Sequence, residues 1–294
     1  MRKTQQASSL VGTRVLITGG ARGIGALLAR RLHERGARVG LVGLEPELLA
    51  DTAKGCGDAP WRVCDVADRS QVDAAVAGIV AELGGLDVVV ANAGIAKQLP
   101  LVGGSPEVME QTLRVNVLGT YYTLRAAGPH LSHPGGYALL ISSLAAAVHL
   151  PLLGAYSASK AAVEALGNTL RAELRPSGAK VGVAYFAELD TDMTSRGFDT
   201  DAARRLLRKR SLTTVTPVVA GIDALEKAIT LRSRTAVAPR WVGAMLPVRS
   251  VLQRVIDRSR RSQVDAALRI AREEDVPFTT DQPGAPSTVA GECG

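Results

Sequence analysis

Aromatic residues are scarce in this sequence and make up 3% of its 294 residues. The chain is basic, with a net charge of +7, and arginine is concentrated in two stretches, 204–210 and 254–262. Neither stretch contains an aromatic side chain on which a nucleic-acid base would stack. We therefore expect an arginine-rich surface in contact with solvent, and no nucleic-acid partner.

Cysteine and histidine are also few, with three and four copies respectively. Cys56, Cys64 and Cys293 form neither an even set for disulfides nor a spacing typical of metal ligands. The histidines lack the HxxxH and HExxH spacings of zinc sites. These absences predict a protein of the reducing cytoplasm without a metal site.

Long apolar runs are missing as well. No stretch approaches the roughly 18 consecutive apolar residues that a membrane-spanning helix needs. Residues 1–10 also lack the apolar segment of a secretory signal peptide. We expect a chain that neither spans a membrane nor is exported, in agreement with a cytoplasmic location.

What the sequence does contain is an alternation of short apolar runs and amphipathic stretches. Apolar runs at 13–18, 38–42, 61–66, 86–94, 137–143, 180–186 and 235–239 predict strands, and helical periodicity fills the intervals between them. Strands of a parallel sheet are unbroken apolar runs because helices cover both of its faces. The pattern predicts an α/β fold, with a parallel sheet between two layers of helices.

Four segments divide the chain. We predict a single α/β domain over residues 11–240, without an internal linker or repeat. Within it, 194–212 is polar and long enough to act as a lid over the strand ends. A helical extension is predicted over 241–276. Residues 277–294, rich in Pro, Gly, Ser and Thr, are predicted to be disordered.

The predicted extension carries apolar residues at helical spacing, with arginines between them. The stripe comprises Trp241, Met245, Val248, Val251 or Leu252, and Val255 or Ile256. Three roles fit it: capping a pocket, packing on another subunit, or lying on a membrane surface through 241–261. Packing against the protein itself is the interpretation that we favour.

A glycine-rich turn, TGGARGIG at 18–25, separates the first predicted strand from the first predicted helix. Glycines at 19, 23 and 25 permit a tight turn and a close approach of the backbone to a ligand. The N-terminus of the helix then presents free N–H groups and a positive dipole end. This strand–turn–helix context predicts a pyrophosphate-binding turn of a dinucleotide site.

The stretch from Ser143 to Lys160 contains residue types that transfer protons. If it is helical, Tyr156 and Lys160 lie one turn apart on the same face. A phenol with a pKa near ~10 is a poor acid or base at neutral pH, and a neighbouring ammonium lowers that pKa. Ser143 then supplies a hydrogen bond to an oxygen whose charge changes. The same spacing also arises by chance on many helices.

Six motifs occur together in a fixed order: TGGARGIG, Asp65-Val66, ANAG at 91–94, Asn116, Ser143 and YSASK at 156–160. In this combination the chain resembles the short-chain dehydrogenase/reductase family from about residue 11 to 240. The resemblance implies a doubly wound, Rossmann-type sheet in three α/β/α layers. It also implies that NAD(H) or NADP(H) is bound and that hydride moves between nicotinamide and an alcohol or ketone.

By position, the resemblance makes Tyr156 the acid/base and Lys160 the residue that lowers its pKa and holds the nicotinamide ribose. Ser143 is expected to polarise the substrate oxygen, and Asn116 to anchor a proton-relaying water. The implied cofactor-binding residues are Gly19, Arg22, Gly23, Ile24, Gly25, Gly43, Leu44, Asp65, Val66, Asn92, Ala93, Gly94, Tyr156, Lys160, Leu189 and Thr191.

One departure from the family pattern concerns the substrate pocket. The usual Pro-Gly after the sixth strand is replaced here by FAELDTDM at 186–193, so Phe186 and Glu188 are expected to touch substrate. Glu188 fits an exposed loop carboxylate equally well. His149 is the polar exception in an otherwise apolar wall, and histidines of this kind are more often on the surface. The wall predicts a hydrophobic ketone or secondary alcohol as substrate. Its expected residues are Leu144, Ala145, Val148, His149, Leu150, Leu153, Phe186, Glu188 and the 194–212 segment.

The second departure concerns the choice of cofactor. Gly43 stands where an acidic residue would hold the adenosine ribose of NAD(H) and repel a 2′-phosphate. Arg22, inside the glycine-rich turn, is able to pair with such a phosphate. These residues favour NADP(H), whereas Glu45 keeps NAD(H) open.

Two further expectations concern function and assembly. A dinucleotide-binding sensor or scaffold of the same fold would not turn over substrate, and such a chain typically lacks the tyrosine or lysine that is present here. A reductase acting at a membrane surface on lipid-like substrates is the other alternative. The resemblance also implies a homodimer or homotetramer, paired through the helices near 106–127 and 155–175.

Overall fold

The computed structural model describes residues 10–191, 193, 200–207, 215–274 and 277–279. Within these residues, seven strands form one sheet in which all strand pairs are parallel. They are β1 (Arg14–Thr18), β2 (Arg38–Gly43), β3 (Trp61–Val63), β4 (Val88–Ala91), β5 (Tyr137–Ile141), β6 (Lys180–Phe186) and β7 (Thr235–Ala238). Their order across the sheet is β3-β2-β1-β4-β5-β6-β7.

Helices cover both faces of this sheet. The described helices are α1 (Gly23–Glu34), α2 (Pro46–Lys54), α3 (Arg69–Leu83), α4 (Pro106–Leu113), α5 (Gly119–Leu131), α6 (Gly154–Glu173), α7 (Asp201–Leu207), α8 (Val218–Leu231), α9 (Val242–Met245) and α10 (Arg249–Glu273). Helices α1, α2 and α8 contribute to the apolar core on one face. Helices α3, α5 and α6 contribute to the core on the other. The predicted three-layer, doubly wound fold is confirmed.

Side chains of one strand serve both cores. In β1, Val15 and Ile17 belong to one apolar cluster, and Leu16 between them belongs to the other. In β4, Val89 likewise faces away from Val90. Because successive strand residues point to opposite faces, a strand covered on both sides needs an apolar residue at every position. This explains why the strands are unbroken apolar runs.

The strand order reverses between β1 and β4. The connection after β1 runs to β2 on one side, and the connections after β4 lead to β5 on the other. At such a switch point the loops diverge and leave a crevice at the carboxyl ends of the strands. The glycine-rich turn follows β1 and residues 92–94 follow β4, so both lie at this crevice.

The long helix predicted from Pro106 to about 127 is interrupted. It consists of α4, a π-helical turn over Arg114–Leu118, and α5. The turn contains the fully buried Asn116, whose amide bonds both polar groups of the Ile95 backbone and the hydroxyl of Ser159. A wider turn of this kind is typical of functional sites in helices. Periodicity alone does not reveal it, since it depends on partners elsewhere in the chain.

Helix α10 docks on the rest of the protein beyond the sheet. Val264 and Ala267 pack against Leu206 of α7. The carboxylate of Glu274 accepts hydrogen bonds from the first two N–H groups of α7, at 3.0 and 3.2 Å. Across the residues described, no helix combines the length and hydropathy that a membrane-spanning segment requires.

Two predicted segments need comment. Of the expected lid at 194–212, residues 200–207 form α7 and a preceding turn, and the rest lies outside the described residues. The tail predicted to be disordered begins at 277, yet Phe278 and Thr279 pack against the protein, with Thr279 only 2% exposed. That prediction is wrong for these residues because composition does not show the partners that they find. Residues 280–294 lie outside the described part.

Candidate active site

The turn after β1 is shaped by glycines. Gly19 has a φ of 66° and Gly23 a φ of 56°, in the left-handed region that side chains other than glycine rarely adopt. A Cβ atom at Gly25 would lie 2.0 Å from the carbonyl oxygen of Gly19. Arg22, which precedes α1, makes no side-chain cap to the helix N-terminus. The turn and the first N–H groups of α1 therefore fit the pyrophosphate of a dinucleotide.

Asn92 holds this turn against β4. Its Nδ2 atom donates to the carbonyl oxygens of Thr18 and Gly19, at 3.0 and 3.2 Å. The Thr18 hydroxyl in turn accepts from the backbone N–H groups of Asn92 and Ala93, at 3.1 and 3.2 Å. The amide of Asn92 thus positions the phosphate-binding turn.

The two strands beyond β1 supply the other end of this cleft. Gly43 is the last residue of β2 and Leu44 follows it, and Asp65 and Val66 follow β3; all four line the cleft. The Asp65 carboxylate accepts from the backbone N–H of residue 67 at 2.9 Å, which fixes its loop. Gly19, Arg22, Gly23, Ile24, Asn92, Ala93, Gly94 and Thr191 also line it, whereas Gly25 lies within the turn. The other predicted cofactor-binding residues, Tyr156, Lys160 and Leu189, line the adjoining apolar pocket and not this cleft.

Arg22 and Glu45 form an ion pair at the mouth of the cleft, with Nε and Oε1 3.1 Å apart. Both side chains are partly exposed, so solvent weakens their attraction. Arg22, the candidate partner of a 2′-phosphate, is therefore paired with Glu45, the candidate partner of the adenosine ribose.

Tyr156 and Lys160 lie one turn apart on α6, as predicted. The Lys160 ammonium donates to the carbonyl oxygen of Ile141 at 3.0 Å and lies 5.6 Å from the centre of the Tyr156 ring. The Tyr156 phenol is hydrogen-bonded to the Ser143 hydroxyl. Tyr156 is 8% exposed and Lys160 5%. The neighbouring Ser142 hydroxyl instead donates to the carbonyl of Lys160 and serves to hold the helix.

The pKa of Tyr156 differs from the value expected from the sequence. Burial raises the pKa of Tyr156 to about 12, and its hydrogen bond with Ser143 acts in the opposite direction. Burial also lowers the pKa of Lys160 to about 8. The expected lowering of the tyrosine pKa is therefore not seen, because removal from water disfavours the charged form of both groups.

Asn116 is next to α6, where its amide donates to the Ser159 hydroxyl at 2.9 Å. A Cβ atom at Gly94 would be 3.3 Å from both the Asn116 Oδ1 atom and the Lys160 ammonium. These two polar groups therefore flank the same glycine, and nothing larger than glycine fits between them without displacement. Asn116 is buried and does not line the cleft itself, so its place suits a role through Lys160.

An apolar pocket of about 290 Å³ opens next to Ser143 and Tyr156. This volume is close to the lower end of the range for small-molecule sites, about 300–1,000 Å³. Glu188 and Lys160 are the charged residues among those that line the pocket. The apolar part of the wall comprises Leu144, Ala145, Val148, Leu150, Leu153, Phe186, Leu189, Trp241, Met245, Leu252 and Ile256.

His149 does not line this pocket, in contrast to the prediction. Its side chain is exposed, whereas Val148 and Leu150 on either side of it line the pocket. Only its backbone is engaged, with the amide of Gln253: the N–H donates at 2.8 Å and the carbonyl accepts at 2.9 Å.

The helical extension forms one wall of the pocket. Gln253 fixes α10 to the loop after Ser143, and Arg249 pairs with Glu164 of the catalytic helix at 3.0 Å. Leu252 and Ile256 on the inner face of α10 line the pocket. Of the three roles predicted for this stripe, capping a pocket is the one that agrees with the position of its inner face. Its outer face carries exposed valines.

Some lining residues were not identified from the sequence. Thr279 lines the cleft from the C-terminal segment, and no motif marks it. A signal was present beside it, because Phe278 is one of only three phenylalanines and stands alone in a polar tail. The other cleft residues outside the prediction are Ala21, Cys64, Ile95, Val115 and Met193.

Residues 13–202 match the model of the family described as short chain dehydrogenase. The chain belongs to the short-chain dehydrogenase family. It is therefore an oxidoreductase of a family that binds NAD or NADP, and the cleft described above has the residues to hold that cofactor. Helices α8, α9 and α10 lie beyond the matched residues.

Curated relatives carry the names of dehydrogenases of alcohols and diols. The chain is 34% identical over 206 residues to a D-threitol dehydrogenase of Mycolicibacterium smegmatis, covering 67% of this chain and 79% of that protein. It is 31% identical over 195 residues to an L-2,3-butanediol dehydrogenase of Corynebacterium glutamicum, covering 61% and 76%. These names describe what the relatives act on.

Solved structures share the fold. A dehydrogenase/reductase from Sinorhizobium meliloti 1021 superposes with a TM-score of 0.68 at 28% identity, covering 79% of this chain and 95% of that one. Levodione reductase superposes with a TM-score of 0.71 at 21% identity, covering 80% and 98%.

In the part of this short-chain dehydrogenase that the structure describes, no three His, Cys, Asp or Glu residues gather as a metal site.

Proposed function

We propose that this short-chain dehydrogenase interconverts a bulky apolar ketone and its secondary alcohol in the cytoplasm, with Tyr156 as the acid/base. One observation carries the proposal. The dinucleotide cleft and the apolar pocket share a wall formed by Ile24, Asn92, Gly94, Thr191 and Met193. The Ser143–Tyr156 pair lines the pocket at this junction, where a hydride donor and a carbonyl would meet.

The residues divide the work as follows. A bound reduced nicotinamide supplies the hydride. Ser143 hydrogen-bonds the carbonyl oxygen, and Tyr156 gives its proton to that oxygen as negative charge develops there. The Lys160 ammonium stabilises the phenolate that remains, because opposite charges attract strongly in a site removed from water. Asn116 orders the space behind Lys160 through which a proton returns from solvent.

The pKa values predict opposite pH profiles for the two directions. With a pKa of about 12, the Tyr156 phenol is protonated at neutral pH and ready to act as an acid in ketone reduction. Reduction kcat/KM should stay level up to about pH 8 and fall above it, as Lys160 loses its proton. Oxidation needs the phenolate, so its kcat/KM should rise about tenfold per pH unit until about pH 8.

Initial rates in both directions from pH 6 to pH 10 measure these profiles. A level oxidation profile below about pH 8 would show that Tyr156 does not have to lose its proton.

For the cofactor we propose NADP(H) over NAD(H). Gly43 offers no carboxylate at the end of β2, and the Arg22 guanidinium lies at the mouth of the same cleft. Its present partner, Glu45, makes one partly exposed ion pair, and a phosphate offers more and stronger acceptors.

Two substitutions test this preference. Arg22→Ala should weaken NADP(H) binding about tenfold or more and change NAD(H) binding by less than about threefold. Glu45→Gln should tighten NADP(H) binding, because the competing carboxylate charge is gone. Calorimetric titration of the unaltered protein and both variants with each dinucleotide gives the six dissociation constants. Tighter binding of NAD(H) by the unaltered protein would contradict the preference.

For the substrate we propose a bulky apolar group next to the carbonyl, held by the inner face of α10. Leu252→Ala should lower kcat/KM for a bulky apolar ketone about tenfold, because buried contact area is lost. A small ketone, which does not reach α10, should respond less than about twofold. Val251→Ala is the matched control, since Val251 is 64% exposed on the outer face. Equal losses for large and small ketones would contradict this assignment.

The dimer or tetramer implied by the family resemblance stays a prediction. Leu166 and Leu170 of α6 pack partly on the chain's own core. Leu118 and Tyr121, near the start of α5, are exposed, at 40% and 46%. Exposed large apolar side chains on a helix face are typical of a protein interface. Membrane contact through the outer face of α10 also remains a prediction.

A further inference from the structure

The C-terminal segment Pro277–Thr279 returns to the cleft that the dinucleotide would occupy. Helix α10 ends at Glu273, and the side chain of Glu274 is fixed to the N-terminus of α7. From there the chain reaches Thr279, which lines the same cleft as Gly19 and Gly94. Thr279 does not line the apolar substrate pocket. Its position therefore concerns the cofactor.

Thr279 forms two hydrogen bonds with the backbone of Ala96, one as donor and one as acceptor. The Thr279 N–H donates to the Ala96 carbonyl at 3.1 Å, and the Ala96 N–H donates to the Thr279 Oγ1 atom at 3.0 Å. Ala96 is fully buried. A buried N–H that loses its acceptor is costly, so the side-chain hydroxyl at 279 matters and not only the backbone. Ala96 follows residues 92–94, which line the cleft directly.

Phe278 anchors the segment beside these hydrogen bonds. Its ring packs against an apolar cluster of Leu99, Val108 and Ala155, which joins the loop after β4, α4 and α6. The Lys97 ammonium lies 5.6 Å from the ring centre, a cation–π distance. An aromatic anchor next to paired backbone hydrogen bonds indicates a defined docking position.

The segment also reaches across the cleft to the phosphate-binding turn. The Arg22 Nη2 atom donates to the carbonyl oxygen of Thr279 at 3.0 Å, and its Nε atom pairs with Glu45. One guanidinium thus connects the C-terminal segment, the glycine-rich turn and the residues after β2. All three elements line the cleft, so this guanidinium ties together parts of its lining that are far apart in sequence.

We propose that Phe278 and Thr279 are part of the dinucleotide site, where they close the cleft over the bound cofactor and orient Arg22. The proposal rests on the proposed function, because it assumes that the cleft binds a nicotinamide dinucleotide. Thr279 acts as a positioning residue: its carbonyl holds the Arg22 guanidinium, and its hydroxyl holds the loop after β4. The closed segment slows cofactor release.

Two shortened chains test the role of the segment. A chain that ends at Glu274 loses Phe278 and Thr279, and a chain that ends at Gly284 keeps them. Binding of NADP⁺ and NAD⁺ is measured by calorimetry, and release by stopped-flow displacement. The chain ending at Glu274 should bind the preferred dinucleotide about tenfold more weakly and release it faster. The chain ending at Gly284 should match the full chain within about twofold.

A pair of substitutions in the full chain separates the hydroxyl from bulk. Thr279→Ser keeps the acceptor for the Ala96 N–H, and Thr279→Val keeps the shape without it. The valine variant should bind about fivefold more weakly, with the serine variant near the unaltered protein. Because both variants retain the whole chain, this pair decides the question even if the shortest chain does not fold.

The outcomes also separate this proposal from the proposed function. If the full chain binds neither dinucleotide, the proposed function fails. If it binds one and the chain ending at Glu274 binds it equally well, the segment is only a neighbour of the site and this proposal is overturned. Tighter binding by the shortened chain would overturn it in the opposite sense, since the segment would then obstruct the cleft.

Discussion

Replacing Tyr156 with phenylalanine is expected to lower kcat for ketone reduction about a thousandfold and to leave dinucleotide binding within about twofold. The phenol is hydrogen-bonded to Ser143 and lies beside the Lys160 ammonium at the junction of cleft and pocket. Phenylalanine fills the same space but has no proton to give. Steady-state rates and calorimetric titration on the same preparation measure both quantities.

Tyr121→Phe is the matched control. Tyr121 is 46% exposed on α5, away from the pocket, so its loss should not change kcat. The experiment also separates the enzyme from a dinucleotide-binding sensor of the same fold. A sensor would bind the cofactor and show no turnover in the unaltered protein. Full turnover in Tyr156→Phe would remove the tyrosine from its assigned role.

Gly25→Ala is expected to weaken dinucleotide binding at least about a hundredfold. The added Cβ atom would lie 2.0 Å from the carbonyl oxygen of Gly19 and 2.8 Å from the Asn92 Nδ2 atom. Neither neighbour is free to move, because Asn92 is held by Thr18 and Gly19 themselves. The turn must therefore open, and its N–H groups no longer converge on a phosphate.

The matched control for this change is Gly128→Ala. Gly128 lies in α5 just before Pro129, and a Cβ atom there meets no atom within 4 Å outside its chain neighbours and the backbone of its own helix. A proline disfavours the helical conformation of a preceding residue that has a Cβ atom, which offsets the usual gain from alanine, so this variant should bind cofactor normally without a gain in stability. Titration and thermal denaturation of both variants distinguish lost binding from lost folding. Normal binding by a folded Gly25→Ala protein would contradict the assignment of the turn.

The fold was predictable because its signals are local. Pro46 at the start of α2 and Gly55 just after its end mark the bounds of this helix, Pro46–Lys54. The glycine-rich turn lies between a buried strand and a helix, a context that a random glycine pattern does not have. Unbroken apolar runs indicate strands covered on both faces, and hence the layered sheet.

The pKa of Tyr156 was not predictable with its correct sign. Sequence places an ammonium one turn away and therefore predicts a lowered value. The structure buries both groups, and loss of hydration raises the pKa of Tyr156 and lowers the pKa of Lys160. Burial depends on the elements packed around α6, which periodicity does not specify. Similarly, the π-helical turn at Asn116 depends on Ile95 and Ser159, which are distant in sequence.

The docking of the C-terminal segment Pro277–Thr279 was not predicted, for a related reason. Thr279 and Ala96 are 183 positions apart, and the residues around Thr279 have the composition of a disordered tail. Composition reports the average tendency of a segment, and two residues with specific partners do not change that average. The solitary Phe278 was the available signal, because an isolated aromatic residue gains most from a docking site.

The central claim is that Tyr156 exchanges a proton with a substrate oxygen next to the reacting nicotinamide. A crystal structure of the complex with NADP⁺ and an apolar secondary alcohol tests it most directly. The account predicts the alcohol oxygen within hydrogen-bond distance of both the Tyr156 phenol and the Ser143 hydroxyl, with its carbon facing the nicotinamide ring. An alcohol bound elsewhere, or a phenol turned away from it, would contradict the claim.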